Sequence, residues 1–422
     1  MGCGMPGLFE MPSQPPMKVP PSTLSADSLD ELIARQPSNR ALERPFYMDP
    51  AMFERDMHCI VRRHWMCAGH ASALPNHGDY CVVSIESEAV VLTRDANGAI
   101  HAFLNVCRHR GAEVCTRASG NTKYFVCPYH AWTYRLDGSL HGARNMPADF
   151  DKAAHGLRRV HVRVAEGLIF IAFAEHPLEF EPVERMLRTT CGRYGWEAAR
   201  IAFRQSYPVE ANWKLAVENY VECYHCAPAH PEYSKVHALE QPLERIEELT
   251  AQMEARTRAL GIDLETGNHW QSSVNGQEAI HSFRYPLYGG ASTGSQDGSP
   301  LAPLMGKFTA YDGGVTSIHL GGLTFLVCYP DHGMIYRFVP RSPHSCEMEL
   351  IWLVRGDARE GIDYDLEKLT WMWKVTTEAD KRIIEHAARG VRSHFFRPGP
   401  LAPMEYNERR YLDWYLQEVA RQ

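Results

Sequence analysis

The reading of this chain turns on two short stretches, Asn105–Gly111 (NVCRHRG) and Cys127–Tyr134 (CPYHAWTY). Each supplies one thiolate and one imidazole: Cys107 with His109 and, after 17 intervening residues, Cys127 with His130. Such a pair of pairs suits an iron–sulfur cluster in which two cysteines hold one iron and two histidines the other. A structural zinc site of Cys2His2 type uses the same residues, but zinc fingers usually keep the two cysteines together and the two histidines together. Here each motif mixes one of each, with strand sequence and the glycines Gly111 and Gly120 between. That pattern favours the cluster. Cys59, Cys67, Cys81 and Cys115 belong to no comparable pair and read as ordinary thiols.

Around these stretches lie the short β-branched and aromatic runs YCVVSI, AVVLT, AIHAFLN, KYFVC, WTYRL and VHVRV, separated by the turn formers Asn97-Gly98, Gly120-Asn121 and Asp137-Gly138. They predict a small antiparallel β domain. Upstream, Met52–Trp65 reads as a helix. Residues 1–45 read as a flexible, proline-rich leader with a short helical stretch at Ser25–Arg35, capped by Ser25 or Asp27. Beyond Gly167 long helical stretches (Asn212–Cys226, Tyr364–Arg389) mix with the strands TSIHL, LTFLVCY, MIYRFV and MELIWLV, which is an α+β pattern with helices against an antiparallel sheet. Tyr288–Pro303, rich in Gly, Ser and Pro, reads as a mobile loop. The expected division is a leader (1–45), a cluster domain with its preceding helix (46–165) and a larger domain (166–422).

With 44 basic against 51 acidic residues, a formal charge of -7 and no Lys/Arg block, nucleic acid is not an expected partner. The longest apolar runs, such as GLIFIAFA, are strand-sized, so no membrane span is expected. The amino terminus lacks a secretory pattern, and Pro6 stands where myristoylation needs Ser or Thr, which points to a cytoplasmic protein. Twelve cysteines in 422 residues do not make a disulfide scaffold.

A second constellation lies in NWKLAVENYVECYHCAPAHP, residues 212–231. A helix through Cys226 would set Glu218, Glu222 and His225 along one side, and Pro228 would interrupt it so that His230 swings back towards His225. Two histidines and one carboxylate with open positions form the ligand set of oxygen-activating ferrous sites. The late helix offers Glu378, Asp380 and Glu385. At about 100° per residue, Leu366, Leu369, Trp373, Ile383, Ile384 and Ala387 fall within about 60° of Asp380, while the two glutamates face away. A carboxylate centred on an apolar stripe is costly unless it is paired or holds a cation, which makes Asp380 the expected third ligand.

The Cys/His loops with their flanks resemble the Rieske family, and from about residue 48 onward the chain is similar to the Rieske non-haem iron oxygenases. The resemblance implies a [2Fe-2S] cluster on Cys107, His109, Cys127 and His130, and a mononuclear Fe(2+) on His225, His230 and Asp380. It also implies O2 as co-substrate, a helix-grip catalytic domain, and electrons from an NAD(P)H-dependent reductase carrying flavin and its own iron–sulfur centre. Family members form a ring of three in which the cluster of one subunit neighbours the iron of the next, bridged by an acid three residues before the first histidine. Here that acid is Glu222, where most of the family carries Asp. The string ENYVECYHCAPAHPEY resembles the branch that demethylates glycine betaine, carnitine or proline betaine, which implies N-demethylation of a small quaternary ammonium substrate, glycine betaine first. Trp270, Phe283, Tyr285, Tyr311 and Tyr329 are aromatic candidates for the pocket. Glu218 could add charge near the substrate or pair with Lys214. The rivals are an oxygenase of the same build acting on an aromatic ring, and a Rieske electron carrier, which would need no second metal site.

Overall fold

The runs TSIHL, LTFLVCY, MIYRFV and MELIWLV show little polar alternation, the mark of strands covered on both faces. The computed structural model describes residues 25–421 apart from 239–240, 265–268, 272 and 274–275. In it those runs lie within one seven-stranded sheet of order Ala199–Val209, Ser345–Arg355, Gly333–Ser342, Thr324–Cys328, Gly314–Leu320, Ile280–Pro286, His269–Gln271. Every pairing is antiparallel. Successive side chains take opposite faces. Tyr336, Phe338 and Leu350 join one apolar core, while Ile335 and Ile351 join another with Phe170, Leu187 and Trp196. Burying each such aliphatic side chain contributes ~1.5–3 kcal/mol. The helices Trp213–Val221 and Leu366–Val391 pack on each other and on this sheet, the expected α+β build.

The cysteine–histidine region holds a four-stranded sheet (Ile100–Leu104, Glu88–Arg94, Asp79–Ile85, Ser119–Asn121) and a three-stranded one (Phe125–Val126, Thr133–Tyr134, Leu140–Gly142). Gly120-Asn121, expected as a turn, is instead strand paired to Asp79 and Tyr80. Glycine suits that position because a Cβ on Gly120 would lie 3.0 Å from the Tyr80 ring. A third sheet pairs Met66–His70 with Leu168–Ala172 and that strand with His161–Ala165. Glu166 and Gly167, at φ 48° and 77°, form the two-residue turn between the last two, so the expected division after residue 165 cuts a hairpin rather than a linker.

Other expectations need correction. Of the leader, residues 1–24 lie outside the described residues, but Ala26–Arg35, capped by the Ser25 side chain, and Arg44–Met48 are helices. Their Leu29, Leu32 and Phe46, with Leu42 between them, are buried in the main core, so this part is not flexible leader. The helix begun at Pro50 becomes a wider π turn at Met57–Val61 and stops before Trp65. Tyr288–Pro303 is fastened rather than loose: Thr293 Oγ1 donates to the buried Asp331 at 2.6 Å, and the Leu301 amide donates to its other oxygen at 2.9 Å. His64 ties the first half to the second, with Nδ1 2.6 Å from Glu278 Oε1 and Nε2 3.4 Å from Glu418 Oε2. No helix among the described residues is long and apolar enough to cross a membrane.

Candidate metal centres

The two cysteine–histidine loops are backbone twins. Cys107 N–H donates to Ala112 C=O and Gly111 N–H to Cys107 C=O; Cys127 N–H donates to Trp132 C=O and Ala131 N–H to Cys127 C=O. Each closes on a residue with positive φ, Gly111 at 76° and Ala131 at 58°. Cys107 and Cys127 point inward and are 3% and 2% exposed, whereas His109 and His130 stand at the surface. The two Nδ1 atoms approach to 3.1 Å. His109 stacks on Trp132, and Tyr134 Oη lies 3.2 Å from Cys107 Sγ while accepting from the Arg108 amide. Desolvation, helped by the charges of His109 and Arg110, holds His130 below its ordinary pKa, towards the neutral imidazole that ligates metals. Buried sulfurs behind an exposed pair of imidazoles fit a cluster that exchanges electrons at the surface.

The second constellation converges as expected, by a different local route. The helix capped by Asn212 ends at Val221, and Glu222 is extended at φ −119°, ψ 159°. Its carboxylate accepts from the Tyr224 and His225 amides and hydrogen-bonds His225 Nδ1, just ahead of the next turn, Cys226–Ala229. A side chain that satisfies nearby amides in this way competes with helix continuation. Pro228 therefore does not make the break; it sits inside the short turn that follows, where its missing N–H costs little. His225 and His230 flank that turn, their rings 5.1 Å apart. From the late helix Asp380 Oδ1 comes within 3.2 Å of His225 Nε2 and 3.7 Å of His230 Nδ1.

Asp380 Oδ1 and His230 Nδ1 are buried, yet among the described residues neither meets hydrogen-bond geometry with another atom. Buried polar atoms left so are rare, and a carboxylate and two imidazoles aimed at one point fit a metal. Burial alone would lower the pKa of His225, but Asp380 and Glu222 outweigh it and raise it to about 9. Along the late helix Ile383 and Ala387 are exposed, not part of the buried face; Thr376, Thr377, Ala379 and Ala388 carry it instead. Glu385 pairs with Lys381. Glu218 does not line the cavity and its hydrogen bond goes elsewhere. It is buried, accepts from Tyr47 Oη at 2.8 Å, and burial pushes its pKa up to about 8, while Lys214 forms its ion pair with Asp56.

A cavity of about 450 Å³ opens onto His225, His230 and Asp380. Its aromatic lining includes Tyr220, Tyr233, Phe283, Tyr285, Tyr336 and Trp373. Of the aromatic candidates, Phe283 and Tyr285 line it. Trp270 instead lies on the surface under Arg410, Tyr311 bonds Asp331, and Tyr329 bonds His237. Tyr220 and Tyr233, which flank the ligand segment, were not singled out from the sequence, although their places beside it were a usable signal.

Residues 64–161 match the Rieske [2Fe-2S] domain, and residues 196–421 match the ring hydroxylating alpha subunit (catalytic domain) family. The chain belongs to the Rieske ring-hydroxylating oxygenase family. It is 33% identical to the glycine betaine monooxygenase oxygenase subunit of Chromohalobacter salexigens, over 94% of this chain and 89% of that one. It is 35% identical to the glycine betaine monooxygenase oxygenase subunit of Pseudomonas aeruginosa PAO1, over 90% and 89%. Its fold is similar to that of the quaternary ammonium Rieske monooxygenase CntA in complex with L-carnitine, with TM-score 0.67 at 21% identity over 92% of this chain and 98% of that one. As a Rieske non-haem iron oxygenase, the chain is an oxidoreductase that combines a [2Fe-2S] domain with a mononuclear iron domain and uses O2. The electron-carrier rival falls with the matched catalytic domain.

Proposed function

We propose that this oxygenase removes a methyl group from a quaternary ammonium compound, glycine betaine first, giving the tertiary amine and formaldehyde. The observation that carries the reading is the aromatic cavity that opens onto His225, His230 and Asp380. A trimethylammonium group is attracted to ring faces by ~0.5–2 kcal/mol per favourable contact, and the carboxylates of Glu222 and Asp380 at the same cavity add negative charge. The relatives that act on glycine betaine support the choice.

In this reading Cys107, His109, Cys127 and His130 hold the cluster, and His225, His230 and Asp380 the iron. When bound, the two centres supply oxygen activation and the electrons for it. The reaction takes O2, two electrons and two protons, puts one oxygen atom on an N-methyl carbon and the other into water; the carbinolamine then separates into amine and formaldehyde. Tyr233, held by Tyr285 at 3.1 Å, and Tyr336, held by Thr377 at 2.9 Å, keep their rings fixed and exclude water from the methyl groups. Glu222 fixes the His225 ring through Nδ1 and so turns Nε2 towards Asp380 and Asn219 Nδ2, 3.2 and 3.3 Å away, the side on which the metal would be held. It also bridges to His109 or His130 of a neighbouring subunit in a homotrimer. The electrons come from a separate NAD(P)H-dependent flavin and iron–sulfur reductase in the cytoplasm.

The test is single turnover of the pre-reduced protein with O2 and a panel of trimethylammonium compounds and aromatic acids. Formaldehyde from glycine betaine, with oxidation of the cluster, is the expected result. Hydroxylated aromatic acid without formaldehyde would overturn the substrate class.

A further inference from the structure

Between Glu222 and the two histidines lies Cys223-Tyr224-His225-Cys226, and Cys223 is joined to Cys226 by a disulfide. Among the described residues the other nine cysteines are free. The Cys226 sulfur and ring nitrogens of His225 and His230 all lie within 4.8 Å of one another. A nitrogen and a sulfur bound to one tetrahedral metal stand roughly 3.5 Å apart, given bonds near 2.1 and 2.3 Å. A small rotation of a free Cys226 side chain would therefore reach a metal held by the histidines. Both cysteines line the cavity, so small reductants and oxidants reach them by the substrate's route.

We propose that this disulfide is a redox gate on the mononuclear site, an inference that rests on reading His225, His230 and Asp380 as the metal ligands. Oxidised, Cys226 is tied to Cys223 and offers no thiolate; two histidines and one carboxylate then leave positions open, as oxygen activation needs. Reduced, Cys226 supplies a fourth ligand, and two histidines, a carboxylate and a thiolate make a closed set suited to zinc. In the reducing step an external dithiol gives two electrons and two protons. The S–S bond breaks into two thiols, the dithiol becomes a disulfide, and Cys226 loses its proton on binding metal. In the reverse step hydrogen peroxide takes two hydrogens from the thiols, giving the disulfide and two waters. Disulfides in reducing compartments are mostly transient or redox-sensing, which fits this role.

The experiment loads the intact, cluster-containing protein with zinc alone, before and after a phosphine reductant that is removed by gel filtration. X-ray absorption at the zinc edge reads sulfur neighbours without interference from cluster iron. The expected result is one sulfur neighbour per zinc, at ~2.3 Å, in the reduced protein only, alongside two new titratable thiols. Cys226→Ser should lose that neighbour, and Cys223→Ser should show it without reductant. Zinc bound through nitrogen and oxygen alone in the reduced wild type, or no gain of thiols on reduction, would overturn the gate. If zinc binding is indifferent to His230→Ala and Asp380→Ala, the metal-site reading fails and the gate with it; if it depends on them but no sulfur is seen, only the gate fails.

Discussion

The two metal neighbourhoods are built in opposite ways. At the first, the histidines stand in solvent and the cysteines sit beneath them, all on two loops whose shape is fixed by their own backbone hydrogen bonds. At the second, the histidines and the acid come from segments about 150 residues apart and are sunk into a cavity, with His230 only 5% exposed at the side chain. The difference follows from the tasks. An electron must enter from another protein, so its acceptor is displayed. Oxygen activation must exclude water and competing reactions, so its site is enclosed and assembled by tertiary packing.

If that division is right, the halves should fail separately. The largest effect is expected from Asp380→Ala: loss of the mononuclear iron and turnover at background, with cluster absorbance unchanged, read by metal analysis and visible spectra. Loss of both centres together would break the comparison. The joint between the halves should show in stability. His64 is fully buried; desolvation would lower its pKa, but Glu278 and Glu418 raise it to about 9, above the ~6.5 of an unfolded chain. Below pH 6.5 both states carry the proton, so the contribution is whole. Between 6.5 and 9 only the folded state keeps it, and stability drains away at ~1.4 kcal/mol per pH unit, ~3 kcal/mol in all. Urea unfolding should show this slope, and His64→Gln should flatten it.

Smaller and more pointed is Glu222→Gln, which should leave both metals bound and slow turnover ~10–100-fold, the usual loss when the partner behind a ligating imidazole changes. Its rate of cluster oxidation in single turnover should fall in step; normal coupling would remove the bridging role. Smallest is Tyr336→Leu, expected to raise KM for the cation ~2–30-fold, equivalent to a lost cation–π contact of ~0.5–2 kcal/mol. An aromatic acid, if turned over at all, should not feel that change in the same way.

The same contrast explains what could be read in advance. Cys107, His109, Cys127 and His130 were legible because each loop is contiguous and its ligand spacing is written in a few residues. Asp380 was legible because an acid on an apolar stripe needs a reason. The face around it was less so: Thr376, Thr377 and Ala379 are buried there, and hydropathy does not flag threonine as core. The break at Glu222 was hidden because it depends on a carboxylate accepting from the amides of Tyr224 and His225, which competes with a helix that the local sequence favours. The long edge strand Ala199–Val209 escaped because its arginines alternate with half-buried residues, and Arg204 is matched by Glu349 on the neighbouring strand. The cavity wall was the least legible: Phe283 and Tyr285 were named, but tyrosines 220, 233 and 336 join them only once the sheet has formed.

One feature of the twin loops reaches beyond geometry. Where Gly111 closes the first loop at no steric cost, the second closes on Ala131, whose β-carbon disfavours the same left-handed turn by ~1–2 kcal/mol. The second loop therefore carries a local cost that the first does not, met by its own backbone hydrogen bonds, so the two halves of the twin are alike in shape and unequal in how readily their sequences adopt it.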